Sequence, residues 1–173
     1  MRYACAVLFL CCFAVPGYAA TPAPQASGTT TSANVAVTGW RLECDPGKTS
    51  LACRALDSIV QSSNGGLVIS FTVYQTADGK SNLTMNVPLG TSVRTPIGVS
   101  VAGGASQSFQ FLTCSQQGCY ANGSVNADLL AAMRDGKGDL RVVYDILDNN
   151  LTPHTITVSL PLSGFAQVDD RLK

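Results

Sequence analysis

The sequence predicts a mainly β domain: a compact antiparallel β-sandwich or barrel-like fold with one or two short helices and two disulfides. Three observations carry this expectation. Apolar and polar residues alternate over short runs, turn-forming residues separate those runs, and four cysteines remain once an N-terminal leader is set aside.

The leader is MRYACAVLFLCCFAVPGYAA. Arg2 supplies a positive start, Ala4–Val15 is an apolar run of signal-peptide length, and small residues precede a cleavage point after Ala19. Residues 1–19 are therefore expected to be a cleaved signal peptide. The run falls short of the roughly 20 residues a spanning helix needs, so no permanent membrane span is expected after cleavage. Cleavage removes Cys5, Cys11 and Cys12 and leaves Cys44, Cys53, Cys114 and Cys119. An even count in an exported chain reads as two disulfides. Eleven basic residues balance eleven acidic ones, and losing Arg2 leaves a net charge of about −1. With no basic run, nucleic acid and anionic membranes lack their usual electrostatic handle.

Residues 20–37, ATPAPQASGTTTSANVAV, are uncharged and nearly free of large apolar side chains. Such a stretch buries too little surface to offset its ordering entropy and is expected to be a flexible tether. Residues 38–173 are the size of one domain with a core of its own. Within them, GLVISFTVYQ places Leu67, Ile69, Phe71 and Val73 on one face, and NLTMNV does the same for Leu83, Met85 and Val87. SFQF pairs Phe109 with Phe111, DLRVVYDIL aligns Leu140, Val142, Tyr144 and Ile146, and TITVSL aligns Ile156, Val158 and Leu160. Such alternation describes half-buried antiparallel strands. Turns are expected at Asn64-Gly65-Gly66, Asp78-Gly79, Gly103-Gly104 and Asp148-Asn149-Asn150. NADLLAAMRDGKG reads instead as a short helix capped by Asn126 and stopped by Gly136. A second is expected near Ser163, in LSGFAQVDDRLK.

Cys44 and Cys53 enclose DPGKTSLA, and Cys114 and Cys119 enclose SQQG. Both inserts suit hairpin turns, which bring each pair face to face on neighbouring strands. The first spacing is too long for a zinc ribbon, the second is marginal, and neither is the Cys-x-x-Cys of a redox couple. Local pairing, Cys44 with Cys53 and Cys114 with Cys119, is expected, with no metal ligands and no cofactor.

Acid–base chemistry has one natural suspect, His154, with Asp148 the nearest acid in sequence. No Gly-x-Ser-x-Gly elbow accompanies it, and a histidine at a strand edge needs no catalytic explanation. Asp145 and Asp148, and the Asp169-Asp170 pair, read as solvated surface charge. Trp40 shares strand parity with Leu42 and Cys44, so it is expected to pack inward beside the first disulfide.

The ordered landmarks are Gly39-Trp40, Cys44, Cys53, the PLG at Pro88–Gly90, FQFLTCSQQGCYA, a Leu-Leu helix ending in glycine, and the PLSGF at Pro161–Phe165. Together they resemble the invasion-associated locus B family of exported proteins from Gram-negative bacteria, over about residues 39–172; the Ala/Pro/Thr-rich tether is not part of that pattern. The family takes its name from a protein that helps a pathogen enter red blood cells. The resemblance implies an antiparallel β domain and carries over no catalytic residues. The expected function is that of a non-enzymatic envelope or secreted protein, assisting adhesion or host-cell invasion by binding a protein partner at the envelope or host surface. Its expected location is periplasmic, outer-surface associated or secreted. The alternative is an envelope hydrolase with a dispersed site that includes His154.

Overall fold

The computed structural model describes residues 35–45, 53–102 and 104–172. The expected signal peptide, most of the tether and the interior of the Cys44–Cys53 loop lie outside the described residues. In chain order the strands are β1 (Val35–Val37), β2 (Arg41–Cys44), β3 (Cys53–Gln61), β4 (Leu67–Gln75), β5 (Ser81–Val87), β6 (Ile97–Val101), β7 (Ser106–Phe109), β8 (Phe111–Ser115), β9 (Gly118–Ser124), β10 (Asp139–Leu147) and β11 (Pro153–Pro161). Helix α1 (Ala127–Asp135) follows β9, and α2 (Phe165–Asp169) follows β11, running into a 3-10 turn at Asp170–Leu172.

Two antiparallel sheets result. The larger runs β1-β3-β4-β5-β9-β8, with β2 also paired to β3, and the smaller runs β11-β10-β6-β7. Inner positions alternate as the pleat demands: Ile69, Phe71 and Val73 on β4, Leu83, Met85 and Val87 on β5, and Leu140, Val142 and Tyr144 on β10 are all buried. Tyr144 carries its hydroxyl into this core, where it donates to the Val68 carbonyl at 2.9 Å; burial pushes its pKa up to about 12.

Helix α1 forms where expected. The Asn126 side chain accepts from the Leu129 N–H at 2.7 Å, Gly136 takes the left-handed stop at φ 64°, and Leu129 and Met133 face the core. It lies against α2, which buries Phe165. Arg134 near the end of α1 pairs with the buried Asp169 and with Asp170, tying the two helices together. Asp169-Asp170 is therefore half inside the fold, not the solvated surface pair the sequence suggests.

Two further expectations are corrected. Val35–Val37, assigned by the sequence to the tether, is strand β1 and pairs with Ile59–Gln61. The reason is length: β2 covers β3 only from Cys53 to Leu56, and the far half of that strand offers backbone groups that a second short strand can satisfy. Phe109 and Phe111 do not share a strand. Phe109 ends β7 in the small sheet and Phe111 starts β8 in the large one, so the chain changes sheets at Gln110.

Candidate functional site

Both disulfides are local, Cys44–Cys53 and Cys114–Cys119, and each joins directly opposed residues of a hairpin. In the second hairpin the register shifts between Phe111 and Thr113, with Phe111 opposite Ala121 and Thr113 opposite Tyr120. Leu112 is thus an extra, bulged residue. Phe111 and Cys114, three apart, would sit on opposite faces of a regular strand; the bulge puts both on one face, opposite the buried Ala121 and Cys119, although Cys114 itself, on the outermost strand, is exposed. The cost of that arrangement is borne by Leu112, which points to solvent at 75% exposure.

Leu112 has apolar company. It lines a shallow depression with Val93, Phe111, Thr113 and Cys114. Val93 and Leu89, both more than half exposed, belong to the loop between β5 and β6. That loop is bonded to the end of β10: the Ser92 N–H donates to the Asp145 carbonyl and the Leu147 N–H to the Gly90 carbonyl, each at 2.8 Å. The next turn carries Leu151, 74% exposed and left-handed at φ 61°, an uncommon conformation for leucine. Leu89, Val93, Leu112 and Leu151 therefore gather at one end of the sandwich. Among the described residues the other exposed large apolar side chain is Val37. The sequence reading missed this end, because a bulge and a left-handed turn leave no mark in hydrophobic periodicity.

His154 lies on β11 and is exposed; its Nε2 is 3.1 Å from Asp148 Oδ2. The same carboxylate accepts from the Asn150 and Thr152 N–H groups, each at 2.8 Å. The Thr152 bond first, then His154 and the Asn150 bond, hold the Asp148 carboxyl below its usual range. Asp148 thus organises the β10–β11 turn, and His154 adds a partner to that organiser. Asp145 accepts from the Thr155 hydroxyl at 2.7 Å. Trp40 packs its ring edge-on to Phe165 with centroids 4.7 Å apart and contacts Phe71 at 6.4 Å, while its indole N–H donates to the Pro161 carbonyl. It is a half-buried anchor between the sheets, at the start of β2 rather than at its stapled end. On the outer face of the large sheet, Tyr74 Oη accepts from the side-chain amides of Asn82 and Asn122; these bonds, Asn82 first, lower its pKa. Among the described residues no three His, Cys, Asp or Glu side chains cluster to hold a metal, and no helix is long and apolar enough to cross a membrane.

A sequence profile described as "Invasion associated locus B (IalB) protein" matches residues 40–173. The chain belongs to the invasion associated locus B family. Among its relatives in this family are the invasion protein B homologs of Brucella abortus strain 2308 and of Brucella abortus biovar 1 strain 9-941. Each is 24% identical over 135 residues, covering 78% of this chain and 75% of the relative. The crystal structure of invasion associated protein b from Bartonella henselae superposes with a TM-score of 0.65 at 25% identity, covering 77% of this chain and 90% of the other. The solved relative therefore shares the overall fold described above.

Proposed function

We propose that this invasion associated locus B protein is an exported, non-catalytic binding module that engages a protein partner at the envelope or host surface. The observation that carries the reading is the apolar end formed by Leu89, Val93, Leu112 and Leu151. Exposed leucines scattered singly need no explanation, but a gathered set at one end is the usual mark of an interaction surface. Bulges recur where a strand re-aims a side chain towards a function, and here the re-aimed residue is Leu112. Relatives named for invasion fit a protein that acts by contact. The hydrolase alternative draws no such support, since the Asp148 carboxylate beside His154 is already engaged by its own turn.

The test is the binding of labelled mature protein to cultured mammalian cells. Val93→Asp with Leu112→Asp is expected to lower binding by about tenfold or more with an unchanged melting curve, as charge placed in an apolar contact does. His154→Ala is expected to bind within about twofold of wild type. Undiminished binding by the double variant would remove the reading, and a large loss in His154→Ala alone would favour the alternative.

A further inference from the structure

We propose that β11 pairs with β11 of a second copy of this chain, antiparallel and centred on Thr157, so that two small sheets become one. Four observations lead there.

First, β11 is the outermost strand of the small sheet and is defended only by the proline at each end. It pairs with β10 over nine consecutive residue pairs with no shift of register. From Pro153 to Pro161 it contains no Lys, Arg, Asp or Glu. Natural edge strands are normally blunted by charge, proline, a bulge or brevity, and here the seven residues between the prolines carry none of these and can template another strand.

Second, the direction of its backbone groups can be worked out. Asp145 and Leu147 turn their carbonyl and N–H towards the loop at Gly90 and Ser92, on the side away from β11. Asp148 donates its N–H to the Thr152 carbonyl at 3.0 Å, one step beyond the Leu147–Pro153 pair. Antiparallel pairs alternate between bonded and non-bonded. Thr155, Thr157 and Ser159, opposite Asp145, Val143 and Arg141, therefore aim their N–H and C=O groups at the open edge. So do Pro153 and Pro161, whose missing N–H is tolerated only there.

Third, seven of the nine residues of that edge read the same in both directions, the exception being His154 opposite Leu160. The strand is Pro153-His-Thr-Ile-Thr-Val-Ser-Leu-Pro161. About Thr157, aliphatic Ile156 mirrors Val158, hydroxyl-bearing Thr155 mirrors Ser159, and proline mirrors proline. Two-fold pairing sets Thr157 against the partner's Thr157, Thr155 against the partner's Ser159, and Ile156 against the partner's Val158. Hydroxyl pairs and β-branched pairs are both favourable across strands, and self-complementarity is what a two-fold interface requires. The side-chain matches favour this register, in which the prolines face one another at the two ends of the pairing and no Thr or Ser carbonyl is set against a missing donor. In the proposed register the Pro161 carbonyl faces the partner's Pro153, which cannot donate. Trp40 already supplies that carbonyl with its indole N–H at 3.1 Å.

Fourth, charge agrees with the orientation. On β10, Asp145 lies beside Thr155 and Arg141 beside Ser159. Antiparallel joining puts Asp145 in the same row as the partner's Arg141, three strand spacings or about 14 Å away. Parallel joining would align like with like. At that distance screening leaves a bias in orientation rather than a bond.

The experiment measures the mass of the mature chain in solution by sedimentation equilibrium, with its disulfides intact. Wild type is expected at twice the monomer mass at high concentration. Thr157→Pro, which deletes the N–H on the axis without touching a bond to β10, is expected at half that mass with an unchanged melting curve. Thr157→Cys is expected to form a covalent dimer on oxidation, since paired Cα atoms about 5.5 Å apart suit a disulfide. Thr155→Cys, which faces the partner's Ser159, is not. If Thr157→Pro fails to fold, the two cysteine variants decide between the outcomes. A wild type that stays monomeric at every concentration overturns the proposal, including the case in which β11 accepts only a foreign strand. Unchanged dimerisation of a folded Thr157→Pro, or equal cross-linking of Thr155→Cys and Thr157→Cys, overturns it as well.

Discussion

Asp57 is 1% exposed on the inner face of β3, among side chains that are otherwise apolar. One carboxylate oxygen accepts from the Ser58 N–H at 2.7 Å and the Thr38 hydroxyl at 3.0 Å; the other has no partner among the described residues. Burial pushes its pKa up, against the pull of these bonds and of Arg41. Between the ordinary carboxylate value and this raised one, the folded chain holds a proton that the unfolded chain has lost. Stability from this group therefore falls as pH rises through that window, the reverse of common acid denaturation. Asp57→Asn is expected to melt higher than wild type at pH 7, and the gap is expected to close as pH falls below the raised value. Calorimetry across pH checks this, and a variant that melts lower at pH 7 would show that the bonds outweigh the burial. Asp57 also explains why β3 was hard to see in the sequence. In CRALDSIVQ the carboxylate sits inside while Leu56 and Val60 sit outside, so polarity and facing are inverted at the strand's centre.

The hairpins were the most legible elements, because a cysteine pair across a polar insert states both the turn and the pairing. What the sequence left out is how tightly the second turn is built. Gly118 opens β9 at φ 131°, and a Cβ there would come 2.3 Å from Asn86 Oδ1 and 2.4 Å from the Val87 carbonyl. Backbone cannot move aside as a flexible side chain can. Gly118→Ala is expected to cost at least about 3 kcal/mol, combining backbone strain with that clash. Gly79 is a fair control. It is also left-handed, at φ 78°, but has nothing within 4 Å of its missing side chain. Gly79→Ala is expected to cost only about 1 kcal/mol. Urea unfolding of the two variants separates strain from collision, and equal losses would rule out the close approach at Gly118. Strands marked by strict alternation, β4, β5 and β10, were legible for the opposite reason: both their faces are ordinary. The split of SFQF was not, since Phe109 and Phe111 have the parity of one strand and only tertiary placement divides them.

At the level of the whole molecule, the antiparallel β class followed from alternation, turns and cysteines and the family from the order of landmarks, whereas the apolar end and the open edge depend on where elements meet in space. One further consequence follows from the crossing at Gln110. The segment from Ser106 to Ser115 runs through both sheets without a connecting loop, pairing with β6 on one side of the crossing and with β9 on the other. Heat that loosens one sheet therefore pulls on a continuous chain anchored in the other, and next to the anchor the Cys114–Cys119 bond prevents slack from being taken up. The sheets are expected to melt as one unit in a single calorimetric peak, with calorimetric and van't Hoff enthalpies equal. Two resolved peaks, one per sheet, would mean that Gln110 behaves as a hinge between separately folding halves.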